Sequence, residues 1–189
     1  MALNPTTALS GYNNDFGNVT LNEVTGKALV SIAVSAGNKM RLSKALQKGF
    51  GLKIPKVGSS TNSGNGKSTL LGMQSDQMFM LFDHDSNEGH EAVTLVTTKL
   101  GDAGYYTDQS DSWTMIEISG EGARPALERI CMIDLHQKAF RVGSFARTTM
   151  EHLGTIIYLP SKDSFLVMGA RSSAKSLLHA LEVSIQNTA

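Results

Sequence analysis

Apolar and polar positions alternate from Ala28 to Val34 (Ala-Leu-Val-Ser-Ile-Ala-Val) and again from Thr114 to Ser119 (Thr-Met-Ile-Glu-Ile-Ser). A period of two predicts strands with at least one buried face. Each strand breaks at a glycine and passes into a helix, through Ser35-Ala36-Gly37-Asn38 in the first case and Ser119-Gly120-Glu121-Gly122 in the second. The first helix follows Asn38, a residue suited to an N-cap, and places Leu42, Ala45, Leu46 and Phe50 near helical spacing. The second puts Ala123, Ala126, Leu127, Ile130 and Cys131 on one face. Its Pro125 falls in the first turn, where the amide has no intrahelical partner to lose.

The same order then repeats. Leu70-Leu71 and Met78–Phe82 predict a hairpin across the polar turn Ser75-Asp76-Gln77, and Thr155–Leu159 with Phe165–Met168 predict another across Ser161-Lys162-Asp163. A helix closes each half. The first spans 88–100, despite the β-branched run Val93–Thr98, and the second carries Ala174, Leu177, Leu178, Leu181 and Ile185 along one stripe. The pattern predicts an α+β, two-layer domain with a largely antiparallel sheet, built from two strand-helix-strand-strand-helix pseudo-repeats at about 28–100 and 113–186. That domain is expected over 16–189, behind a flexible arm at 1–15. Val19–Val24 reads as an edge strand, and Pro160 is expected to end its strand.

Composition narrows the function classes. Hydrophobic residues make up 41% and charged residues 18%, which suits a folded core and not a disordered chain. Seventeen basic residues balance seventeen acidic ones, so no global field draws in nucleic acid or anionic lipid. The lone Cys131 rules out an internal disulfide and reads as a small buried hydrophobe. The first residues lack a basic and apolar leader, and no apolar run reaches membrane-spanning length, so a cytoplasmic protein is expected. Of the many methionines, Met73, Met78, Met80, Met115, Met132, Met150 and Met168, most fall on strands and read as filler of irregular core gaps, the others as part of an adaptable interface.

Candidate chemistry is sparse. Gly64-Asn65-Gly66-Lys67-Ser68-Thr69 resembles a phosphate loop, but Thr61 stands where that motif needs glycine, and a strand follows instead of a helix. Asp83–Glu91 is dense in oxygen and imidazole groups, yet Glu88 and Thr94 occupy the glycine and glutamate positions of a calcium loop. It reads as a turn closed by an Asn87 cap. Neither His152 nor His179 sits near a nucleophile elbow. The connector from Met132 to Gly143 is different, being neither repetitive nor periodic. Asp134 beside His136 is an acid–imidazole pair or a loop carboxylate accepting backbone amides, and Arg147 is placed to pair with Asp134 across the turn. Asp134, His136, Phe140 and Arg147 are therefore taken as a structural bracket or interface, with no catalytic, cofactor or metal residue assigned.

The run Asp134-Leu135-His136, then Phe140, Gly143 and Ala146-Arg147-Thr148, resembles the gamma subunit of heterotetrameric sarcosine oxidase. Asp108-Gln109-Ser110, Ser119-Gly120, Leu127–Cys131 and Arg171-Ser172 flank it in matching order, with Leu71-Gly72 and Ser75-Asp76 before Met78–Leu81 in the first half. The resemblance covers residues 16–186. It implies a distant relation to the folate-binding domain of the glycine-cleavage T-protein and a place among alpha, beta and delta subunits. It further implies that those partners carry FAD, FMN, NAD and zinc and use tetrahydrofolate, oxidising sarcosine to glycine with hydrogen peroxide and a one-carbon unit. This chain would be the non-catalytic structural subunit. A stand-alone folate-binding or one-carbon transfer protein is the alternative. In the T-protein an acidic residue on the hairpin matching Glu151–Ile156 contacts folate, whereas Thr155–Leu159 here contains no carboxylate.

Overall fold

The computed structural model describes residues 6–84 and 91–188. The fold is α+β, with two antiparallel sheets and four α-helices among the described residues. It divides into two compact units, one formed by the chain up to Thr25 together with the chain from Ser112 onward, the other by Gly26–Asp111.

The first unit opens with β1 (Asn13–Asp15) and β2 (Thr20–Glu23). The other unit holds β3 (Lys27–Val34), α1 (Lys39–Phe50), β4 (Ser60–Asn62), β5 (Ser68–Gly72), β6 (Gln77–Asp83), α2 (Ala92–Leu100) and β7 (Gly104–Asp108), its sheet ordered β4-β5-β6-β3-β7. Val30, Ile32 and Met80 from the strands meet Leu42, Leu46 and Val96 from the helices, all fully buried or nearly so. Asn38 stands at the start of α1 without capping it. Its side-chain Nδ2 donates to Ser35 Oγ at 2.7 Å instead. Gly51 ends the helix in the left-handed conformation, φ 67°. α2 overrides its β-branched composition in two ways. Ala92, Val96 and Leu100 bury on one stripe, and the Thr97 and Thr98 hydroxyls donate back to the Val93 and Thr94 carbonyls. Glu91 occupies the N-cap position of α2, and the expected Asn87 cap lies outside the described residues.

The first unit continues with β8 (Trp113–Ser119), α3 (Ala123–Glu128), β9 (Phe145–Met150), β10 (Leu153–Ser161), β11 (Ser164–Ala170) and α4 (Ala174–Gln186), in the sheet order β1-β2-β8-β11-β10-β9. Ile116, Ile118, Phe165 and Val167 bury against Leu127, Leu177 and Leu181. Gly169 lets α4 approach, since a Cβ there would lie 2.7 Å from Leu177 Cδ2. Two expectations change. β2 is not an edge strand, because Asn13–Asp15 pair with it on one side and β8 on the other. Pro160 lies inside β10, where pairing shifts between Tyr158 and Ser161 and its missing amide is not needed. Residues 6–12 are also tied down. The Glu23 carboxylate accepts the Leu9 and Gly11 amides and the Thr7 hydroxyl, and Tyr12 donates to Glu182 at 2.5 Å.

Candidate functional site

The bracket begins where α3 stops. The apolar stripe runs past the helix, so Ile130 and Cys131 lie in the following turn and Cys131 bridges to Met150 on β9. Arg124 reaches back from α3 to donate to the Leu135 carbonyl, and its guanidinium lies 4.8 Å over the Phe165 ring. Leu135 and Phe140 drop into the core, 1% and 5% exposed. Between them the loop supplies its own partners. Asp134 Oδ1 accepts the His136 amide at 2.8 Å, His136 Nδ1 accepts the Lys138 amide at 3.3 Å, and the His136 carbonyl accepts the amides of Ala139 and Phe140. Gly143, at φ 87°, turns the chain so that its amide meets the Leu159 carbonyl at 2.8 Å.

Of the four bracket residues the loop therefore gathers Asp134, His136 and Phe140, while Arg147 stands apart. It sits exposed on β9 opposite Ile156, and no ion pair joins it to Asp134 among the described residues. Asp134 is spent on a backbone amide instead. Arg124, the side chain that locks the bracket, was missed in the sequence. Its signal was an arginine in the first turn of a short helix whose neighbours Ala123, Ala126 and Leu127 are apolar and buried.

Beside the bracket, β9 and β10 join through a two-residue turn, Glu151-His152, with both residues at positive φ (45° and 68°). Glu151 opens onto a cavity of about 370 Å³ shared with Arg129, Ser176, His179, Val183 and Asn187. The Ser184 hydroxyl, also at that cavity, donates to the Ala126 carbonyl at 2.6 Å. Burial pushes the Cys131 thiol above its ordinary pKa, which makes it a poor nucleophile. Among the described residues no three or more His, Cys, Asp or Glu side chains gather as a metal set.

The other motifs resolve locally. Gly64–Lys67 forms the turn between β4 and β5, where Asn65 Oδ1 accepts the Lys67 amide at 3.0 Å and the Ser63 hydroxyl at 2.7 Å. Groups that a phosphate would need are thus taken, and a strand follows. Asp83 pairs with Lys27, while most of the Asp83–Glu91 run lies outside the described residues. On β10, Thr155 is buried with its hydroxyl 3.4 Å from the Thr148 carbonyl, and Ile156–Leu159 are buried apolar or aromatic residues.

No protein-family model matches the chain. The sarcosine oxidase gamma subunit of Corynebacterium sp. (strain P-1) is 26% identical over 168 residues, covering 87% of this chain and 79% of that protein. The gamma subunit from Arthrobacter sp. is also 26% identical, over 152 residues, covering 80% and 72%. The chain resembles sarcosine oxidase gamma subunits. A chain of the heterotetrameric sarcosine oxidase from Corynebacterium sp. U-96, solved with pyrrole 2-carboxylate, shares the fold at a TM-score of 0.76, with 19% identity over 90% of this chain and 85% of that one. The glycine cleavage aminomethyltransferase T of Bartonella henselae matches at 0.62 with 12% identity. That likeness covers 84% of this chain but only 44% of the transferase, whose fold is thus matched in part. Among the described residues no helix is long and apolar enough to cross a membrane.

Proposed function

We propose that this chain is the gamma subunit of a heterotetrameric sarcosine oxidase and serves it as a structural, non-catalytic member. The observation that carries the reading is the likeness to two gamma subunits over 80% or more of this chain, together with the 0.76 fold match. The site supports it. The bracket spends Asp134 and His136 on its own backbone, Arg124 on a carbonyl and Phe140 on the core. Alpha, beta and delta subunits would supply the FAD, FMN, NAD and zinc. The assembly would convert sarcosine, dioxygen and water to glycine, formaldehyde and hydrogen peroxide, or pass the one-carbon unit to tetrahydrofolate.

The partial fold match to aminomethyltransferase T favours a second reading, a stand-alone folate-binding protein. A pterin needs a buried acceptor for its N–H donors. The Thr155–Leu159 segment offers a buried threonine hydroxyl facing the Thr148 carbonyl, buried aliphatic side chains and a tyrosine, with no carboxylate, so the residues there do not fit that group.

Affinity-tagged chain co-expressed with the large subunits separates the readings. A yellow complex that contains this chain and yields peroxide from sarcosine is expected, with the free chain colourless. Failure to co-purify any flavin-bearing partner overturns the first reading, and micromolar tetrahydrofolate binding by the isolated chain in calorimetry establishes the second.

A further inference from the structure

The chain is neutral as a whole, but its charge is unevenly placed. From Val24 to Ser75 there are eight basic residues and no aspartate or glutamate, leaving nine of the seventeen basic residues to balance all seventeen acidic ones elsewhere. α1 is the centre of this stretch, with Lys39, Arg41, Lys44 and Lys48 and no acidic side chain. Lys44 and Lys48 stand one turn apart, and Lys53 follows just beyond the helix. Together with Ser43, Gln47 and Ile54 they line an open cavity of about 580 Å³. The two ion pairs among the described residues of this unit, Lys27–Asp83 and Arg41–Asp102, involve none of them. Among the described residues these three ammonium groups have no carboxylate partner.

An exposed helix face stabilises itself by mixing signs at i and i+4, and like charges at that spacing repel. A concave face carrying only one sign is adapted to something outside the unit. We propose that the lysine face of α1 docks an acidic segment of a partner protein. Charge complementarity specifies the occupant's sign, and the lining specifies its kind. No arginine is there to fork onto a phosphate and no aromatic ring to stack a base, the two devices on which nucleic-acid grooves rely. Aspartate and glutamate side chains bring carboxylates to the lysines, accept from Ser43 and Gln47, and lay their methylenes on Ile54 and the lysine stems. The contact acts mainly by steering encounter and is screened by salt. It needs only the charge and shape of α1 and stands whether or not the partner is a sarcosine oxidase subunit.

The test is fluorescence anisotropy of labelled decaglutamate titrated with the full chain. Saturable binding is expected at about 20 mM salt, weakening about tenfold by about 200 mM. K44A/K48A/K53A is expected to weaken it about tenfold with an unchanged melting curve, since all three lysines are exposed. K138A/K162A/K175A removes the same charge elsewhere and should leave affinity as it was. A single K48Q variant, about twofold weaker, carries the test if the triple variant melts early. Absence of binding at low salt, equal loss in the two triple variants, or tighter binding of decathymidylate overturns the proposal.

Discussion

Both halves of the molecule turn from strand into helix on a glycine, but only one of those glycines is walled in. Gly37, between β3 and α1, has φ 76° and nothing within 4 Å of where a Cβ would sit. Gly120, between β8 and α3, has φ 112°, and a Cβ there would lie 2.3 Å from the Asn18 carbonyl oxygen. The local chain geometry demands glycine in both places. In the second half a tertiary demand is added, because the segment leading into β2 packs on the turn. The helices differ in the same sense. α1 runs for 12 residues and ends on a glycine cap, whereas α3 runs for six and gives way to a bracket anchored by Arg124, Leu135 and Phe140. One repeat is built from regular elements; the other trades helix for a loop that its own side chains hold.

Substituting the paired glycines is the strongest way to break this comparison. Gly120→Ala should destabilise the fold on the order of 4 kcal/mol, because backbone must move to relieve the contact. Gly37→Ala should cost about 1 kcal/mol, the left-handed penalty alone. Urea unfolding midpoints measure both, and equal losses would erase the distinction.

A smaller effect compares one tyrosine from each unit. Burial raises the phenol pKa of Tyr12 above its ordinary 10.0, with Glu182 adding to the shift, and burial likewise raises Tyr106, with Asp102 adding to it. A raised folded pKa means the folded state holds its proton while the unfolded state loses it. Stability is therefore full below 10.0 and falls as pH climbs from there through the higher folded values. Unfolding at about pH 9 and about pH 11 should show the loss, with Y12F and Y106F each removing part of it. The larger part is expected at Tyr106, whose hydroxyl has almost no contact with solvent.

The smallest effect concerns the bracket. Asp134→Ala should cost about 1 kcal/mol through the His136 amide, and Arg147→Ala almost nothing. The double variant should be additive within about 0.3 kcal/mol. Coupling above about 1 kcal/mol would restore the ion pair that the sequence suggested.

The duplicated order of elements was legible because alternation in Ala28–Val34 and Thr114–Ser119, and the stripe through α4, report burial directly. β4 was not, since Ser60-Thr61-Asn62 has no apolar position to alternate. Asn38 looked like a cap because caps are recognised by residue type, but its side chain is turned to Ser35, to whose hydroxyl Nδ2 donates, and its oxygen accepts no helix amide. Pro160 looked like a stop because a strand's bulge leaves no trace in composition. Arg147 and Asp134 looked like a pair because sequence distance says nothing of which face a strand residue takes. In the candidate site, the loop carboxylate on a backbone amide was one of two readings open at Asp134, and the geometry selects it. The acid-free stretch around α1 was fully visible in the sequence and was masked by a net charge of zero.

The Glu151-His152 turn carries a standing thermodynamic penalty. Asparagine and glycine would take both positive-φ positions at little cost, whereas two ordinary L-residues there forgo roughly 1–2 kcal/mol apiece. A hairpin tip so occupied holds the Glu151 carboxylate at the rim of the neighbouring cavity, and an Asn-Gly replacement would yield a firmer protein with a blank corner.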